Sequence, residues 1–451
     1  MRKSQASCPG LGVRAAGVAF SAMMSCWSPL ARGQCAFEVQ PLHQAEAPIF
    51  LLAVGEIDAS HAGPEVLAVD ADGVILQLTH GARSWNVAPL NVTVEPGQIM
   101  NVRPTINIGD VHPGFPGNEI VIETFNTVNV LVQSSPGQWQ KQIVLDGDEF
   151  FGSVWGVRIG DIDPALPGDE LFYIIESFFD FSAGWVASLV NGEWESRVVF
   201  NAEVGMDAAI GDTAPGTPGN EIVVGTEMGP VYEITSQPAN TEDWPRTTLW
   251  NDFDNAPWTL RIADILPDLP GNEIAYGSRY SDRLLLSHAS GAAHDMEVVF
   301  TGVATEAMTM WDIAVGNVIL ESTSLEIVGV DQAGMAYLAR HDGSRWSGQT
   351  IWSDAGALHA AVVADVVPDL PGPEIIVAGQ SGSIVLLSRA QPVPGDITCD
   401  GTVDVNDLLA VVSAWGPCPA PPALCPADIA PSGGDGQVNV NDLLLVITNW
   451  H

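Results

Sequence analysis

The segment GDTAPGTPGNEIVV at residues 211–224 is one copy of a repeat from which the fold can be predicted. Clear copies are GDVHPGFPGNEIVI at 109–122, GDIDPALPGDELFY at 160–173, ADILPDLPGNEIAY at 263–276 and ADVVPDLPGPEIIV at 364–377. Two weaker copies begin at Gly55 and Gly316. All seven copies carry a glutamate at the same place: Glu65, Glu119, Glu170, Glu221, Glu273, Glu326 and Glu374. Successive glutamates are 48 to 54 residues apart, and a period near 50 residues is typical of propeller blades.

Each repeat predicts four strands. An apolar run ends at the Gly-Asp pair, a turn rich in Pro and Gly follows, and the glutamate opens a second apolar strand. An alternating strand such as GSIVLLS comes third. A fourth strand usually begins with a tryptophan, which we expect to pack within the blades: Trp85, Trp139, Trp194, Trp244 and Trp346. Because radial stacking buries both faces of such sheets, the sequence predicts an all-β, seven-bladed propeller over residues 36–390.

The first strand of this region is expected to close the ring. The seventh repeat ends near Arg389 without a fourth strand of the tryptophan type, and FEVQPL at residues 37–42 parallels WNVAPL at 85–90. The N-terminal strand therefore completes the last blade, which removes the open edge of the array. An open β-solenoid is the alternative.

The repeats resemble the FG-GAP and VCBS families of propeller repeats over residues 36–389. The resemblance rests on the Gly-Asp pair, the loop after it and the apolar strand that follows. It implies a propeller of the kind found in integrin heads and bacterial surface proteins. Those families carry a calcium loop of the DxDxDG type, whereas here only Asp161, Asp163 and Asp169 keep several carboxylates close together.

The charge of the chain excludes some partners. It has 55 acidic and 16 basic residues, a formal net charge of −39, and Lys3 and Lys141 are its only lysines. Nucleic-acid binding depends on Lys and Arg at phosphates, so no nucleic-acid partner is expected. Cations, calcium above all, are the expected partners, and they should relieve the self-repulsion.

The N-terminus predicts export. Arg2 and Lys3 precede an apolar stretch that ends in Ala-Arg-Gly at 31–33, as in a signal peptide over residues 1–33; a disordered tail is the alternative. Beyond it, no stretch reaches the ~20 apolar residues that span a bilayer. We therefore expect a secreted or cell-surface protein. The four cysteines outside the signal, Cys35, Cys399, Cys418 and Cys425, allow three pairings, of which Cys418 with Cys425 is favoured.

A second module follows the linker at residues 391–395 and covers residues 396–451. It contains two matching segments, DITCDGTVDVNDLLAVVSAW and GGDGQVNVNDLLLVITNW. The first fits a twelve-residue EF-hand-type loop followed by a helix, and oxygen ligands at alternate positions are what Ca²⁺ requires. Its predicted ligands are Asp396, Thr398, Asp400, Thr402 (backbone carbonyl), Asp404 and Asp407.

The second loop has three extra residues in its first half. Its predicted ligands are Asp428, Asp435, Gln437 (backbone carbonyl), Asn439 and Asp442. Surface Asp/Gly turns are the alternative to both sites, although the repeated NDLL helix start disfavours them. We expect two short helices to face each other through their apolar residues: Leu408, Leu409, Val412, Leu443, Leu444 and Ile447.

This module resembles the dockerin type I repeat. The resemblance implies calcium as the cofactor and a cohesin-like or cell-surface protein as the partner. The loop positions that select partners in dockerins hold Val405-Asn406 and Val440-Asn441, where hydroxyl residues are common. Sorting or surface attachment is the alternative role.

No catalytic constellation is present in the sequence: HExxH, GxSxG and phosphate-binding loops are absent, and the nine histidines are scattered. A glutamate that occurs once per blade indicates a structural role. We therefore predict a non-enzymatic binding or adhesion protein whose propeller binds protein or carbohydrate. The alternative is a carbohydrate-active enzyme, a polysaccharide lyase or glycoside hydrolase, which would concentrate unique acids, His or Tyr at one mouth of the ring.

Overall fold

A computed structural model gives the fold. It describes residues 37–58, 61, 63–81, 84–95, 105–146, 152–163, 166, 168–177, 182–202, 205–214, 219–237, 244–290, 293–302, 309–320, 322–389, 394–397, 403–418, 425, 427–430 and 435–450. Ala36–Gln391 forms one compact unit, and Pro392–His451 belongs to a second. The predicted signal peptide at residues 1–33 lies outside the described residues, and so does Cys35.

The first unit is a seven-bladed β-propeller, as predicted. Its described strands form seven antiparallel four-stranded sheets, and each sheet is one blade. Strand β1 is Phe37–Gln44. The strands of the first three blades are, in blade 1, β2 Ile49–Gly55, β3 Glu65–Asp70, β4 Val74–His80 and β5 Trp85–Thr93; in blade 2, β6 Ile106–Gly109, β7 Glu119–Glu123, β8 Thr127–Ser135 and β9 Gln138–Asp146; in blade 3, β10 Gly152–Gly160, β11 Glu170–Ser177, β12 Ser182–Val190 and β13 Glu193–Ala202. Those of the remaining blades are, in blade 4, β14 Gly205–Gly211, β15 Glu221–Thr226, β16 Pro230–Thr235 and β17 Arg246–Asn251; in blade 5, β18 Pro257–Ala263, β19 Glu273–Ser278, β20 Arg283–Ser290 and β21 Ala293–Thr301; in blade 6, β22 Met310–Gly316, β23 Glu326–Asp331, β24 Met335–His341 and β25 Trp346–Ser353; in blade 7, β26 Leu358–Ala364, β27 Glu374–Gly379 and β28 Ser383–Arg389.

Strand β1 closes the ring. The last sheet has the order β1-β28-β27-β26, so the first strand of the chain is the outer strand of blade 7. The pairing is antiparallel and runs from Phe37 opposite Arg389 to Gln44 opposite Ser383. Phe37 also packs against the buried core of the last blades. The predicted closure is confirmed, and the open solenoid is wrong.

The repeated glutamate fastens the turn that follows the innermost strand. Each one begins the second strand of its blade and is at most 2% exposed. In blade 4, Oε2 of Glu221 accepts hydrogen bonds from the backbone amides of Thr213 at 3.0 Å and Ala214 at 3.2 Å. Blades 2, 3, 5 and 7 repeat this pair of contacts, and in blades 1 and 6 at least one amide donates. The structural role predicted for the glutamate is confirmed, and the donating amides lie seven or eight residues before it, ahead of the Pro- and Gly-rich part of the turn.

We expect Glu221→Ala to lower the free energy of unfolding by about 2 to 4 kcal/mol, because it leaves two buried amides without an acceptor and opens a cavity. Glu221→Gln should cost much less, since the amide oxygen can accept both bonds. Urea unfolding measures both. The exposed Glu193→Ala is the matched control. Equal losses for Ala and Gln at position 221 would contradict the hydrogen-bonding role.

The glycine of the repeat allows neighbouring blades to approach closely. A Cβ on Gly211 would lie 2.6 Å from Cγ2 of Ile262 in the next blade, and one on Gly55 would lie 2.7 Å from Cγ2 of Ile108. Side chains of the next innermost strand therefore pack directly on this backbone. The fourth-strand tryptophans fill the outer part of the blades, and Trp139 and Trp244 are 4% and 1% exposed. Their predicted packing role is confirmed.

The second unit contains two nine-residue helices, α1 Val405–Ser413 and α2 Val440–Thr448, and two short paired strands, β29 Gly416–Pro417 and β30 Gln437–Val438. The Cys418–Cys425 disulfide is present as predicted, while Cys399 lies outside the described residues. In the part of the chain that is described, no helix has the length and apolar character to cross a membrane.

The predicted helix contact is only partly correct. Leu408 and Leu443 pack against the small core, which is formed by Val403, Val411, Ala427, Val438 and Val446. The other four predicted core residues are 50 to 55% exposed: Leu409, Val412, Leu444 and Ile447. A nine-residue helix has about two and a half turns and can bury only one narrow stripe, and here the buried stripe runs through Val411 and Val446.

Candidate functional site

The innermost strands of the blades enclose a cavity of about 420 Å³. Six blades line it, through strands β2, β6, β10, β18, β22 and β26. Its walls combine the aromatic rings of Phe50, Trp311 and His359 with polar side chains. A volume in this range suits a small ligand, and apolar walls with a few fixed polar groups are the usual composition of a binding pocket.

A recurring β-bulge positions the aromatic residues. In five blades the pairing between the first two strands skips one residue, as between Met310 and Asp312 or between Leu358 and Ala360. A bulge bends a strand and redirects a side chain. The skipped residues all lie five positions before the end of their strand: Phe50, Met206, Trp258, Trp311 and His359. The bulge thus sets one side chain per blade near the start of the innermost strand.

These side chains form a continuous aromatic belt over four consecutive blades, made of Trp258, Trp311, His359 and Phe50. Ring centroids are 6.1 Å apart between Trp258 and Trp311, 5.2 Å between Trp311 and His359, and 4.4 Å between His359 and Phe50. His359 is 7% exposed, and its Nδ1 lies 3.0 Å from the carbonyl oxygen of Ile49. Burial lowers the pKa of His359. It is therefore a neutral ring within the belt.

Next to the belt, an alternating chain of charges links blades 3 to 6. The Arg158 guanidinium pairs with the buried carboxylate of Asp207. Arg261 lies 3.9 Å from Asp207 and 2.9 Å from Asp312. The backbone amide of Leu260 also donates to Asp207, at 2.9 Å. The two guanidinium groups and two carboxylates balance, so this wall carries no net charge.

Glu123 lies behind this chain and is fully buried. Its Oε2 accepts hydrogen bonds from the amide of Val157 at 2.6 Å and the hydroxyl of Thr105 at 3.2 Å. Burial raises the pKa of Glu123 to about 8 in spite of these donors and nearby Arg158. The carboxyl group is therefore mostly protonated at pH 7, which adds no charge to the wall.

Two unique acids also approach this region. Burial raises the pKa of Glu176, at the end of β11, and the charge of Glu227 raises it further. Glu227 pairs with Arg279 at 2.7 Å, and the Arg279 guanidinium lies over the ring of Trp258, 5.1 Å from its centroid. The structure shows a group of unique charged residues from blades 3 to 5.

Comparison with known proteins supports the fold only. No family model matches this chain, and no curated protein sequence matches it. Among solved structures, "Crystal structure of BBS1N in complex with ARL6DN, soaked with lead" is similar at a TM-score of 0.53 and 9% identity, covering 80% of this chain and 98% of that one. The structure of Saccharomyces cerevisiae Sqt1 is similar at a TM-score of 0.47 and 8% identity, covering 80% and 100%. The match with a TM-score of 0.53 shows a shared fold and nothing more.

In the C-terminal unit, the structure shows how the predicted calcium ligands interact with the backbone. Asp404 and Asn439 cap the two helices, and Asp407 and Asp442 complete capping boxes by accepting the amides of these caps at 2.9 and 2.8 Å. Asp407 also accepts the amide of Ile397, at 2.7 Å. Thr398, Asp400 and Thr402 lie outside the described residues. Asp396 lies within them, at the start of the first loop.

In the second loop, the first predicted ligand, Asp428, contacts the residues that follow the insertion. Asp428 accepts the amides of Asp435 at 2.9 Å and Gly436 at 2.7 Å, although seven residues separate it from Asp435. Asp435 accepts the amide of Gln437, at 3.0 Å. Among the described residues, the carboxylates do not converge as a set of three. The one converging group, Asp428 with Cys418 and Cys425, contains disulfide sulfurs, which are not thiolate ligands.

In blade 3, the acids Asp161, Asp163 and Asp169 are close together in the sequence, as in a calcium loop, but their contacts are different. Asp163 lies 3.6 Å from Arg197. Burial raises the pKa of Asp169, and the charges of Asp161 and Asp110 raise it further. These carboxylates also do not form a converging set within the described part of the chain.

The aromatic belt and the Arg–Asp chain were not predicted from the sequence. The signal was available, because aligning the innermost strands on the Gly-Asp pair places Trp155, Trp258, Trp311 and His359 in one column. The alternation of apolar and polar residues does not reveal the bulge. The bulge nevertheless determines the direction of the side chains at that aligned position.

Proposed function

We propose that this chain is an exported, non-enzymatic binding protein of the cell surface or surroundings, in which the propeller binds a ligand and the C-terminal module docks to a protein. One observation carries the docking role: both helices expose an apolar stripe at the same positions. The residues are Val405, Leu409, Val412 and Trp415 on and after α1, and Val440, Leu444, Ile447 and Trp450 on and after α2. Their exposed fractions lie between 45 and 55%. The spacing i, i+4, i+7 is that of a helix face made for packing.

The charge of the module indicates the partner. Residues 396–451 contain seven aspartates and no Lys, Arg or Glu. A partner with an apolar groove bordered by Lys and Arg complements both features. A cohesin-like or other cell-surface protein is the proposed partner, in line with the dockerin-like repeat.

Calcium is the proposed cofactor of the module. Asp428, Asp435, Asn439 and Asp442 would hold one ion together with the carbonyl of Gln437, and Asp396, Thr398, Asp400, Asp404 and Asp407 would hold another together with the carbonyl of Thr402. The donor set supports this, because it consists of hard oxygens without a basic residue to neutralise them. The ion would supply that neutralisation and fix the loop that precedes each helix.

We expect calcium to stabilise the C-terminal unit of the intact protein selectively. After chelation, its melting transition should fall by roughly 10 °C or more while the propeller transition changes little, because only the module contains the loops. Differential scanning calorimetry with and without Ca²⁺ measures this. Asp435→Asn should weaken the effect, and Asp369→Asn, an exposed aspartate of the propeller, is the control. No calcium-dependent transition, or one that Asp435→Asn and Asp369→Asn weaken equally, would refute the calcium role.

Docking is tested separately from calcium. The double variant Leu409→Asp, Leu444→Asp keeps every proposed ligand but places charges on both stripes. If the stripes dock, the wild-type protein in calcium should retain a partner protein from the cell envelope. That partner should be lost with the double variant, and it should also be lost when a chelator is added to the wild-type protein. Retention of that protein by the variant would disprove docking through the stripes.

The rival function is a carbohydrate-active enzyme, and the Glu176–Glu227 group is the observation that favours it. A carboxylic acid with a raised pKa beside a second carboxylate is a typical acid–base arrangement in glycoside hydrolysis. Release of products from a polysaccharide panel, abolished in Glu176→Gln, would establish this function. Binding without release supports the proposal made here.

A further inference from the structure

We propose that the aromatic belt and the adjoining Arg–Asp chain form a binding site for an uncharged oligosaccharide, with Trp311 as its main stacking surface. This inference rests on the proposed binding role of the propeller and names the ligand class. The cavity brings the two features together, because Trp311, His359 and Phe50 line it with Arg261 and Asp312.

The size of the cavity selects a small or slender ligand. About 420 Å³ admits a few sugar or amino-acid units, and it excludes a folded protein domain. Along the cavity wall the belt extends farther than one ring, since the centroid separations from Trp311 through His359 to Phe50 are 5.2 and 4.4 Å. A ligand that follows this part of the belt therefore has more than one ring.

The charges disfavour an anionic ligand. Each guanidinium on this wall has a carboxylate beside it: Arg158 with Asp207, Arg261 with Asp312, and Arg279 with Glu227. The whole chain carries a net charge of −39, so a polyanion would be repelled at long range. Each guanidinium in this group already has a carboxylate beside it, so none of them compensates for that repulsion.

The mixture of polar and apolar groups favours a sugar. A pyranose presents C–H groups on its face and hydroxyls at its edge, and each hydroxyl both donates and accepts. The belt offers ring faces, while Arg261, whose side chain is 33% exposed, offers donors beside the acceptor oxygens of Asp312. Ion pairs already hold these groups in place, so little ordering is required on binding.

Isothermal titration of the intact protein tests the site. The probes are neutral cello-, xylo-, manno- and laminari-oligosaccharides of two to six units, with oligogalacturonates as the acidic series. We expect at least one neutral series to bind, with affinity rising beyond the disaccharide, and no binding of the acidic series. Trp311→Ala should weaken binding at least about tenfold, which corresponds to ~1.4 kcal/mol.

The matched control is Trp346→Ala, which removes the same side chain from the outer strand of the same blade. It should change affinity by less than about twofold. Trp311→Tyr keeps a stacking ring and should retain part of the affinity, so it replaces the alanine variant if that variant unfolds. Binding of no neutral series, preference for acidic sugars, or equal effects of Trp311→Ala and Trp346→Ala would overturn the proposal.

Two further outcomes separate this site from the docking function. Sugar binding that survives Leu409→Asp, Leu444→Asp while docking is lost supports two independent sites. Capture of a peptide or protein that depends on Trp311, without heat from any oligosaccharide, would assign the belt to a protein ligand and refute the sugar.

Discussion

Deleting residues 36–44 is expected to open the propeller and to lower its melting temperature by roughly 10 to 20 °C, with aggregation on heating. Strand β1 pairs with β28 along its whole length, from Phe37 opposite Arg389 to Gln44 opposite Ser383. Without β1, the ladder groups of β28 that face it lose their partners and present a free edge for association. Phe37 and Leu42 also leave their apolar contacts.

Scanning calorimetry and size-exclusion chromatography measure this loss. The matched control moves residues 36–44 to the position after Arg389 through an added two-residue Asn-Gly turn, which keeps the strand but changes its connection. This rearranged chain should regain most of the melting temperature, because the same pairing can form locally. If the deleted chain melts like wild type, strand β1 is not the fastener of the ring.

Asp207→Ala is expected to cost the propeller about 3 to 5 kcal/mol, the largest effect of a single substitution that we predict. Asp207 is 1% exposed, and its carboxylate pairs with Arg158 and accepts the amides of Ala208 at 2.8 Å and Leu260 at 2.9 Å. Removing it leaves a guanidinium whose side chain is 11% exposed without its neutralising partner.

Urea unfolding and a double-mutant cycle measure the coupling. Asp207→Ala combined with Arg158→Met should be less destabilising than the sum of the two single variants, because the second change removes the unneutralised charge. Lys141 and Glu95 form an exposed pair at 3.0 Å, and Lys141→Met should cost less than about 1 kcal/mol. An Asp207→Ala variant as stable as Lys141→Met would show that the buried pair contributes nothing.

Local patterns predicted most of the propeller. The seven glutamates gave the number of blades, and each of them begins a second strand in the structure. The likeness of residues 37–42 to 85–90 gave the closing strand. These predictions succeed because a blade repeats one local arrangement of turn, glutamate and strand, and the ring follows from the repetition.

The buried residues of the C-terminal helices were predicted less well. Their apolar residues indicated a shared core, yet Leu409 and Leu444 are about half exposed while Val411 and Val446 are buried. The pattern of a short amphipathic helix shows that one face is apolar, and it does not show which part of that face finds a partner within a module of this size.

The amino-acid sequence alone was enough to predict the all-β repeat, the number of sheets, the strand that joins the two ends of the ring and the two helix starts, and it favoured the observed disulfide. Each of these features depends on neighbours along the chain or on a repeated period. The proposed binding site, in contrast, could be located only from the folded ring. Trp258, Trp311, His359 and Phe50 come from four blades, and bulges in the innermost strands turn them towards one another. Arg158, Asp207, Arg261 and Asp312 likewise come from four blades and meet only because the closed ring places those strands around one axis.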